Sequence, residues 1–175
     1  METPLQIRRA VEGEIRIAFR GITLGRGMSL RQAQFVDGFR AADANAHSAS
    51  SANAEVTDDW SRVPLDELER DYIAHLDALG FRYYIPALML SVLNHYESSS
   101  MRVIGTLTGL YPKKDNRWDY DMHRYSLLSS AQKTSIARFL AALPKLVELD
   151  SADQKIVSRA LRNYWGEYLQ TNASE

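Results

Sequence analysis

Residues 81–96 read FRYYIPALMLSVLNHY, and the architecture of the chain follows from them. Between Ile85 and Leu93 only Ser91 is polar, so this run is apolar on every face rather than on one. A helix with that pattern is stable when its neighbours cover it on all sides. The sequence therefore predicts a buried central helix over about residues 83–97.

Amphipathic stretches before this run supply helices that would cover it. Apolar residues at spacings of three and four predict helices over residues 4–19, 29–39 and 65–79. Gly80 is expected to end the third of these helices, because glycine is common just past a helix C-terminus. Pro86 is then expected in the first turn of the central helix, where proline is tolerated.

The second half of the chain adds shorter elements. Residues 101–110 carry a weaker amphipathic pattern, and residues 113–125 are polar and aromatic and are predicted to form a loop. Some helix starts carry a capping box, in which a serine and a glutamine three residues later satisfy each other's backbone N–H. The predicted boxes are Ser29 with Gln32, Ser129 with Gln132, and Ser151 with Gln154.

The pattern as a whole predicts an all-α fold. Strict alternation of apolar and polar residues, which would indicate strands, is too short everywhere in the sequence. The length of 175 residues suits one domain, so we expect a single-domain bundle of six or seven helices around the central one. Residues 41–59 are rich in alanine, serine and asparagine and are predicted to be a flexible loop, because they can bury little apolar surface.

Composition excludes several classes of function. The chain has no cysteine, so disulfides, thiolate metal sites and cysteine nucleophiles are excluded. Its 21 basic and 22 acidic residues give a net charge of −1, which argues against a dedicated nucleic-acid binder. No apolar window approaches the ~20 residues that cross a bilayer, and the first residues lack the pattern of a secretory signal. We expect a cytoplasmic protein with no membrane partner.

Residues 113–125, KKDNRWDYDMHRY, form the stretch most typical of a functional surface. Aromatic residues and arginines are the side chains that anchor protein interfaces. The predicted partner-binding residues are Arg117, Trp118, Tyr120, His123, Arg124 and Tyr125. The alternative is structural, with the aromatic rings covering the bundle and the charges solvating it.

A metal site is the second functional hypothesis. Asp71 and His75 lie four residues apart on a predicted helix, so both side chains could face one point. Further ligands would have to come from Asp119, Asp121 and His123. Such a site would make the protein a metal-dependent enzyme or a metal-binding protein, but it requires two distant segments to meet.

The glycine-rich stretch at residues 21–29 offers a third candidate. Gly21, Gly25 and Gly27 precede Ser29 at a helix start, where free backbone N–H groups can bind an anion. The spacing is not that of a phosphate-binding loop, because no lysine follows and no strand precedes. A turn followed by a capped helix is the simpler interpretation.

Residues 80–87, GFRYYIPA, resemble a family of uncharacterised bacterial proteins in which a G-F-R-[FY]-Y-[LI]-P-A segment recurs. Trp60 with the Val-Pro pair at 63–64 precedes this segment, and the segments at 128–140 and 160–165 look like the second half of that family. The resemblance covers roughly residues 60–168. It implies a small bacterial cytosolic helical protein and brings no catalytic residues to transfer.

The leading hypothesis from the sequence is a non-enzymatic interaction module that binds another protein or itself. The sequence shows no recognisable catalytic constellation, its net charge is close to zero, and it offers an arginine-rich aromatic segment. No cofactor is expected. The metal-dependent enzyme remains the alternative.

Overall fold

The structure, a computed structural model, describes residues 2–39, 57–70 and 73–170. These residues form eight α-helices and three 3-10 turns, with no strand among them. The helices are α1 (Pro4–Ala18), α2 (Leu30–Phe39), α3 (Leu65–Leu68), α4 (Ala78–Asn94), α5 (Met101–Gly109), α6 (Trp118–Tyr125), α7 (Ser130–Leu146) and α8 (Ser151–Asn163). The 3-10 turns are Trp60–Arg62, Ile73–His75 and Trp165–Leu169. The all-α prediction is confirmed, with one more helix than its upper count of seven.

The central helix is α4, and the prediction that it is buried is confirmed. Thirteen of its seventeen residues are buried, so it is covered all round. The covering elements are α1, α3, α5, α6, α7 and the turn Trp60–Arg62. Each large apolar side chain buried in this way contributes about 1.5–3 kcal/mol. Buried apolar residues from α1 to the turn Trp165–Leu169 form one cluster around it.

The start of α4 differs from the prediction. The single helix expected over residues 65–79 is wrong, because α3 ends at Leu68 and Ile73–His75 is a 3-10 turn. Gly80 lies in the first turn of α4 and does not end a helix. The reason is Asp77, whose Oδ1 accepts from the backbone N of Gly80 at 2.7 Å and so caps a new helix.

Pro86 also departs from its predicted place. It lies inside α4 rather than in the first turn, because the cap at Asp77 starts the helix earlier than expected. Proline has no N–H, so the carbonyl of Arg82 receives no bond from the residue four positions later. The burial of the residues around it outweighs this loss and keeps the helix continuous.

The glycine-rich segment packs directly against the first turn of α4. A Cβ atom on Gly80 would lie 2.2 Å from the carbonyl oxygen of Met28, and one on Gly27 would lie 2.8 Å from the backbone N of Gly80. The backbone N of Met28 donates to Asp77 Oδ1 at 3.0 Å. Two backbones therefore meet here with no side chain between them, which requires glycine.

The C-terminal end of α4 is bound by a buried arginine of α5. Arg102 donates to the carbonyl of Ser91 at 3.1 Å and twice to that of His95 at 3.0 Å. Its Nε donates to Glu69 Oε1 at 2.7 Å. The last carbonyls of a helix have no partner within the helix, and the guanidinium supplies donors for them as well as a favourable charge.

Arg8 of α1 also donates hydrogen bonds to carbonyls at helix C-terminal ends. It donates to the carbonyl of Leu93 in α4 and, at 3.0 Å, to that of Leu146 at the end of α7. One side chain therefore holds the C-terminal ends of two helices against α1.

Of the remaining local predictions, some are confirmed and others are wrong. The capping boxes at Ser29 and Ser129 are confirmed. The box at Ser151 is wrong, because Asp150 caps α8 by accepting from the backbone N of Asp153 at 2.8 Å. The loop predicted over residues 113–125 is wrong for its second part, which is α6.

Two further predictions concern the loop at residues 41–59 and membrane-spanning helices. Residues 41–56 of the loop predicted at 41–59 lie outside the described residues. Within residues 2–39, 57–70 and 73–170, there is no helix whose length and apolar content would let it cross a bilayer.

Two glycine-to-alanine changes should have opposite effects on stability, because Gly80 lies against backbone atoms and Gly13 has open space around it. Gly80→Ala should lower the free energy of unfolding by about 1–3 kcal/mol, because the new methyl meets backbone. Gly13→Ala, inside α1 with open space around it, should raise that energy by about 0.5–1 kcal/mol. Urea unfolding followed by circular dichroism measures both. Equal effects would show that backbone contact at Gly80 is unimportant.

The Arg102–Glu69 pair predicts an acid-sensitive contribution to stability. Burial raises the pKa of Glu69, but the hydrogen bonds and charge of Arg102 outweigh it and hold that pKa below its ordinary value of 4.5. The ionised form therefore stabilises the fold above that value, and this contribution is lost as the pH falls through the lowered pKa. Glu69→Gln should lower the urea midpoint at pH 7, and the difference from the native chain should shrink below pH 4.5. The exposed Glu148→Gln is the matched control, expected to show no such pH-dependent difference.

Candidate functional site

A cleft of about 540 Å³ opens between α5, the turn Ile73–His75 and α6. It is larger than the clefts of about 400 Å³ between α1 and α7 and about 390 Å³ beside the turn Trp60–Arg62. Its lining includes one histidine and four charged residues, which are His75, Lys113, Arg117, Asp121 and Arg124. A concave surface with a few convergent polar groups is the usual form of a binding site.

The sequence of α5 makes room for this cleft. Gly105 and Gly109 lie four residues apart, so they share one face of the helix, and both line the cleft. Because glycine has no side chain, these two positions leave space in the cleft. Tyr111, two residues after α5, and Tyr120 of α6 line the same space. A Cβ atom on Gly109 would already lie 3.3 Å from a methyl of Ile73.

Arg124 lies in the wall of the cleft and is 5% exposed. Its Nη2 donates to Asp121 Oδ1 at 2.9 Å and to the carbonyl of Gly109 at 3.3 Å. Its Nη1 donates to the carbonyl of Ile73 at 3.4 Å. The guanidinium thus joins all three elements that form the cleft.

Three aromatic rings hold the same guanidinium from its other sides. The distances from its central carbon to the ring centroids are 5.1 Å for Phe81, 5.4 Å for Tyr120 and 5.9 Å for Tyr125. Such contacts add a favourable cation–π term. The Nε of Arg124 is buried and has no hydrogen-bond partner within the described residues.

Asp121 is the carboxylate that faces Arg124. Burial raises the pKa of its carboxyl above the ordinary 3.8, while the charges of Arg124 and Arg117 act in the opposite direction. The ion pair between Asp121 and Arg124 at 2.9 Å therefore offsets only part of the cost of removing both charges from water.

The structure separates the six predicted partner-binding residues into distinct environments. Arg117, Tyr120 and Arg124 line the cleft. His123 is exposed on α6 but does not line it. Trp118 is half-buried and packs edge-on against Tyr164, with ring centroids 6.2 Å apart.

Tyr125 has a structural position. It is 1% exposed, its hydroxyl donates to the carbonyl of Gly109 at 2.6 Å, and its ring lies 4.9 Å from that of Trp165. Burial raises the pKa of this hydroxyl. The alternative weighed for the aromatic residues, that they cover the bundle, describes Tyr125 well.

The predicted metal ligands are only partly brought together. His75 and Asp121 line the same cleft, whereas Asp119 and His123 lie outside its lining. Asp71 lies outside the described residues. Where the chain is described, no group of three or more histidine, aspartate or glutamate side chains is arranged to hold a metal.

The candidate anion site at residues 21–29 is occupied by contacts of the fold. Ser29 is fully buried, and its Oγ and backbone N pair with Gln32 in the capping box. Gly21 and Gly25 have φ values of 74° and 56°, which glycine adopts without strain. Gly27 is required by the contact with α4.

Sequence reasoning missed the part of the cleft that comes from α5 and the segment directly after it. Thr108 of α5 and Tyr111 and Lys113 of that segment line the cleft, and none was predicted as a site residue, although Lys113 begins the stretch that the sequence singles out. The available signal was the pair of glycines four residues apart in an otherwise amphipathic helix, which marks a close approach or a depression on one face.

Residues 8–169 match the model of a family of unknown function (DUF6714). The chain belongs to this family. The resemblance to an uncharacterised family is thereby confirmed, over a longer span than the sequence motifs covered, and every residue of the cleft lies within the DUF6714 match. Neither the curated proteins nor the solved structures contain a match to the chain.

The position of Arg124 predicts that its shape matters as well as its charge. Arg124→Lys should lower the free energy of unfolding by about 1.5–3 kcal/mol, because an ammonium cannot reach the carbonyls and Asp121 together. Arg117→Lys, at an exposed position in the same cleft, should change that energy by less than about 0.5 kcal/mol. Thermal and urea unfolding measure both variants. A loss at Arg117 equal to that at Arg124 would contradict the structural role.

Proposed function

We propose that this member of DUF6714 is a non-enzymatic interaction module that binds another protein at the cleft between α5 and α6. The observation that carries the proposal is the cleft of about 540 Å³ bordered by arginine and tyrosine side chains. These residue types dominate the well-packed centres of protein interfaces. One side of the cleft comes from residues 113–125, the stretch that the sequence singles out.

An exposed apolar stripe continues from the cleft along α5. Met101, Ile104 and Thr108 lie at offsets of three and four, so they share a face, and Thr108 lines the cleft. Met101 is 40% exposed and Ile104 is 37% exposed. Apolar groups next to a polar depression give a partner surface to bury as well as groups to pair with.

Tyr120 is a preorganised anchor at the mouth of the cleft. It is 49% exposed, yet its hydroxyl donates to the carbonyl of Ala74 at 2.7 Å and its ring lies against Arg124. A side chain that is already fixed loses little conformational entropy when a partner binds. The charged groups of the cleft floor are likewise engaged in the fold, which supports binding rather than catalysis.

Site-specific photo-crosslinking tests this proposal. A photoreactive p-benzoyl-phenylalanine at Tyr120 or at Ile104 should give a discrete adduct in cells, because both positions border the proposed surface. The matched control is the same group at Ile17, which is 67% exposed on α1 and lines a different cleft. Mass spectrometry of the adduct identifies the partner.

The outcomes separate the kinds of partner. An adduct of twice the 19.8 kDa chain mass identifies a second copy of this chain. A different mass identifies another protein. Absence of an adduct at both test positions, or the same adducts from Ile17, would contradict binding at this cleft.

A further inference from the structure

The charges that line the cleft between α5 and α6 are unbalanced. Lys113, Arg117 and Arg124 are cationic, and Asp121 is the one acidic residue among the lining residues that the structure describes. The whole chain carries a net charge of −1, so this excess of positive charge is a local property. Local excess of one sign steers and selects ligands of the other.

Pairing inside the cleft leaves two cations for a ligand. Asp121 is held by Arg124 at 2.9 Å. Lys113 and Arg117 are exposed, and neither forms an ion pair with any part of the chain that the structure describes. Their remaining contacts are weaker: the Lys113 ammonium lies 5.9 Å from the centroid of the Tyr111 ring, and the charge of Arg117 acts on Asp121. The nearby Asp115 accepts from the backbone N of Arg117 at 2.9 Å rather than from its side chain.

The wall of the cleft contains a further unmet donor. The Nε of Arg124 is buried and has no hydrogen-bond acceptor among the residues that the structure describes, and the residue as a whole is 5% exposed. A buried N–H without a partner is unfavourable. The guanidinium therefore has one donor more than the described fold uses, which adds to the positive character of this side of the cleft.

The surroundings favour separate carboxylates over a line of phosphates. Residues 113–125 carry four lysine or arginine residues and three aspartates, so the net positive charge of this stretch is too small to suit the dense, evenly spaced phosphates of a nucleic acid. The exposed Met101 and Ile104 beside the cleft offer apolar contact, which a small inorganic anion cannot use. Both features fit a peptide that carries acidic and apolar side chains.

We infer that the cleft binds an acidic, partly apolar segment of a partner protein, whose carboxylates pair with Lys113 and Arg117 and whose apolar side chains cover Met101 and Ile104. This inference rests on the proposed function and adds the chemistry of the ligand. The exposed position of the two cations makes the interaction sensitive to salt.

Peptide binding by the full chain tests the inference. The probe is a fluorescein-labelled peptide of glutamate and leucine, and its matched control has glutamine at every glutamate. Fluorescence anisotropy at low salt should show binding of the glutamate peptide that weakens as NaCl is added. The glutamine peptide should bind at least about tenfold more weakly, because it lacks the charges that pair with the cleft.

Charge reversal then locates the contact. The double variant Lys113→Glu with Arg117→Glu should weaken binding of the glutamate peptide about tenfold and should gain binding of a lysine–leucine peptide. The matched control, Lys155→Glu with Arg159→Glu, makes the same change of net charge at exposed positions of α8 and should leave binding unchanged. Circular dichroism checks that both double variants keep their helix content.

Three results would overturn the inference. One is equal binding of the glutamate and glutamine peptides. Another is an equal loss in the α8 control, which would assign the effect to net charge alone. The third is displacement of the peptide by inorganic phosphate or single-stranded DNA at lower concentrations than by unlabelled peptide. If crosslinking at Tyr120 and Ile104 persists in any of these cases, the inferred ligand chemistry is wrong and the proposed interaction module stands. If crosslinking also fails, the inferred ligand chemistry and the proposed function are both wrong.

Discussion

Arg8 and Arg102 bond the carbonyls at the C-terminal end of the central helix, and the arrangement of the bundle follows from these contacts. Burying α4 on every side also removes its end groups from water, and unpaired backbone groups there would be costly. Asp77 meets this need at the first turn, and the two arginines meet it at the last. The elements that carry those side chains are thereby fixed around α4.

The cleft is a result of the same arrangement. Arg102 anchors the start of α5 to the end of α4, while Phe81 of α4 packs on Tyr125 of α6 with ring centroids 5.4 Å apart. Both helices are therefore tied to α4, and the depression between them lies where α5 presents Gly105 and Gly109 instead of larger side chains. Arg124 spans the base of the gap, so a depression forms without an unsupported charge at its floor.

The sequence predicts the elements whose cause is local and misses those whose cause is a distant contact. The apolar run at residues 85–93 identifies α4 by itself, and a serine with a glutamine three residues later identifies two of the three predicted caps. The leucine stripe at 65–79 suggests one helix where the structure has two elements. The backbone N of Met28 donates to Asp77, and a contact between such distant segments cannot be predicted from residue spacing. At the cleft, the arginines and tyrosines of α6 can be recognised from the sequence because these residue types are common in interfaces. The α5 side of the cleft is harder to predict, because it is formed where glycines carry no side chain.

Arg8 has a consequence for how the chain is made. It joins α1 to a carbonyl 138 residues later, and α1 packs against α7 over much of its length. At about 5–20 residues per second, a ribosome adds that stretch in roughly 7–28 seconds. During this interval the apolar face of α1 has emerged without its partner, so the nascent chain completes its core only when α7 has left the exit tunnel.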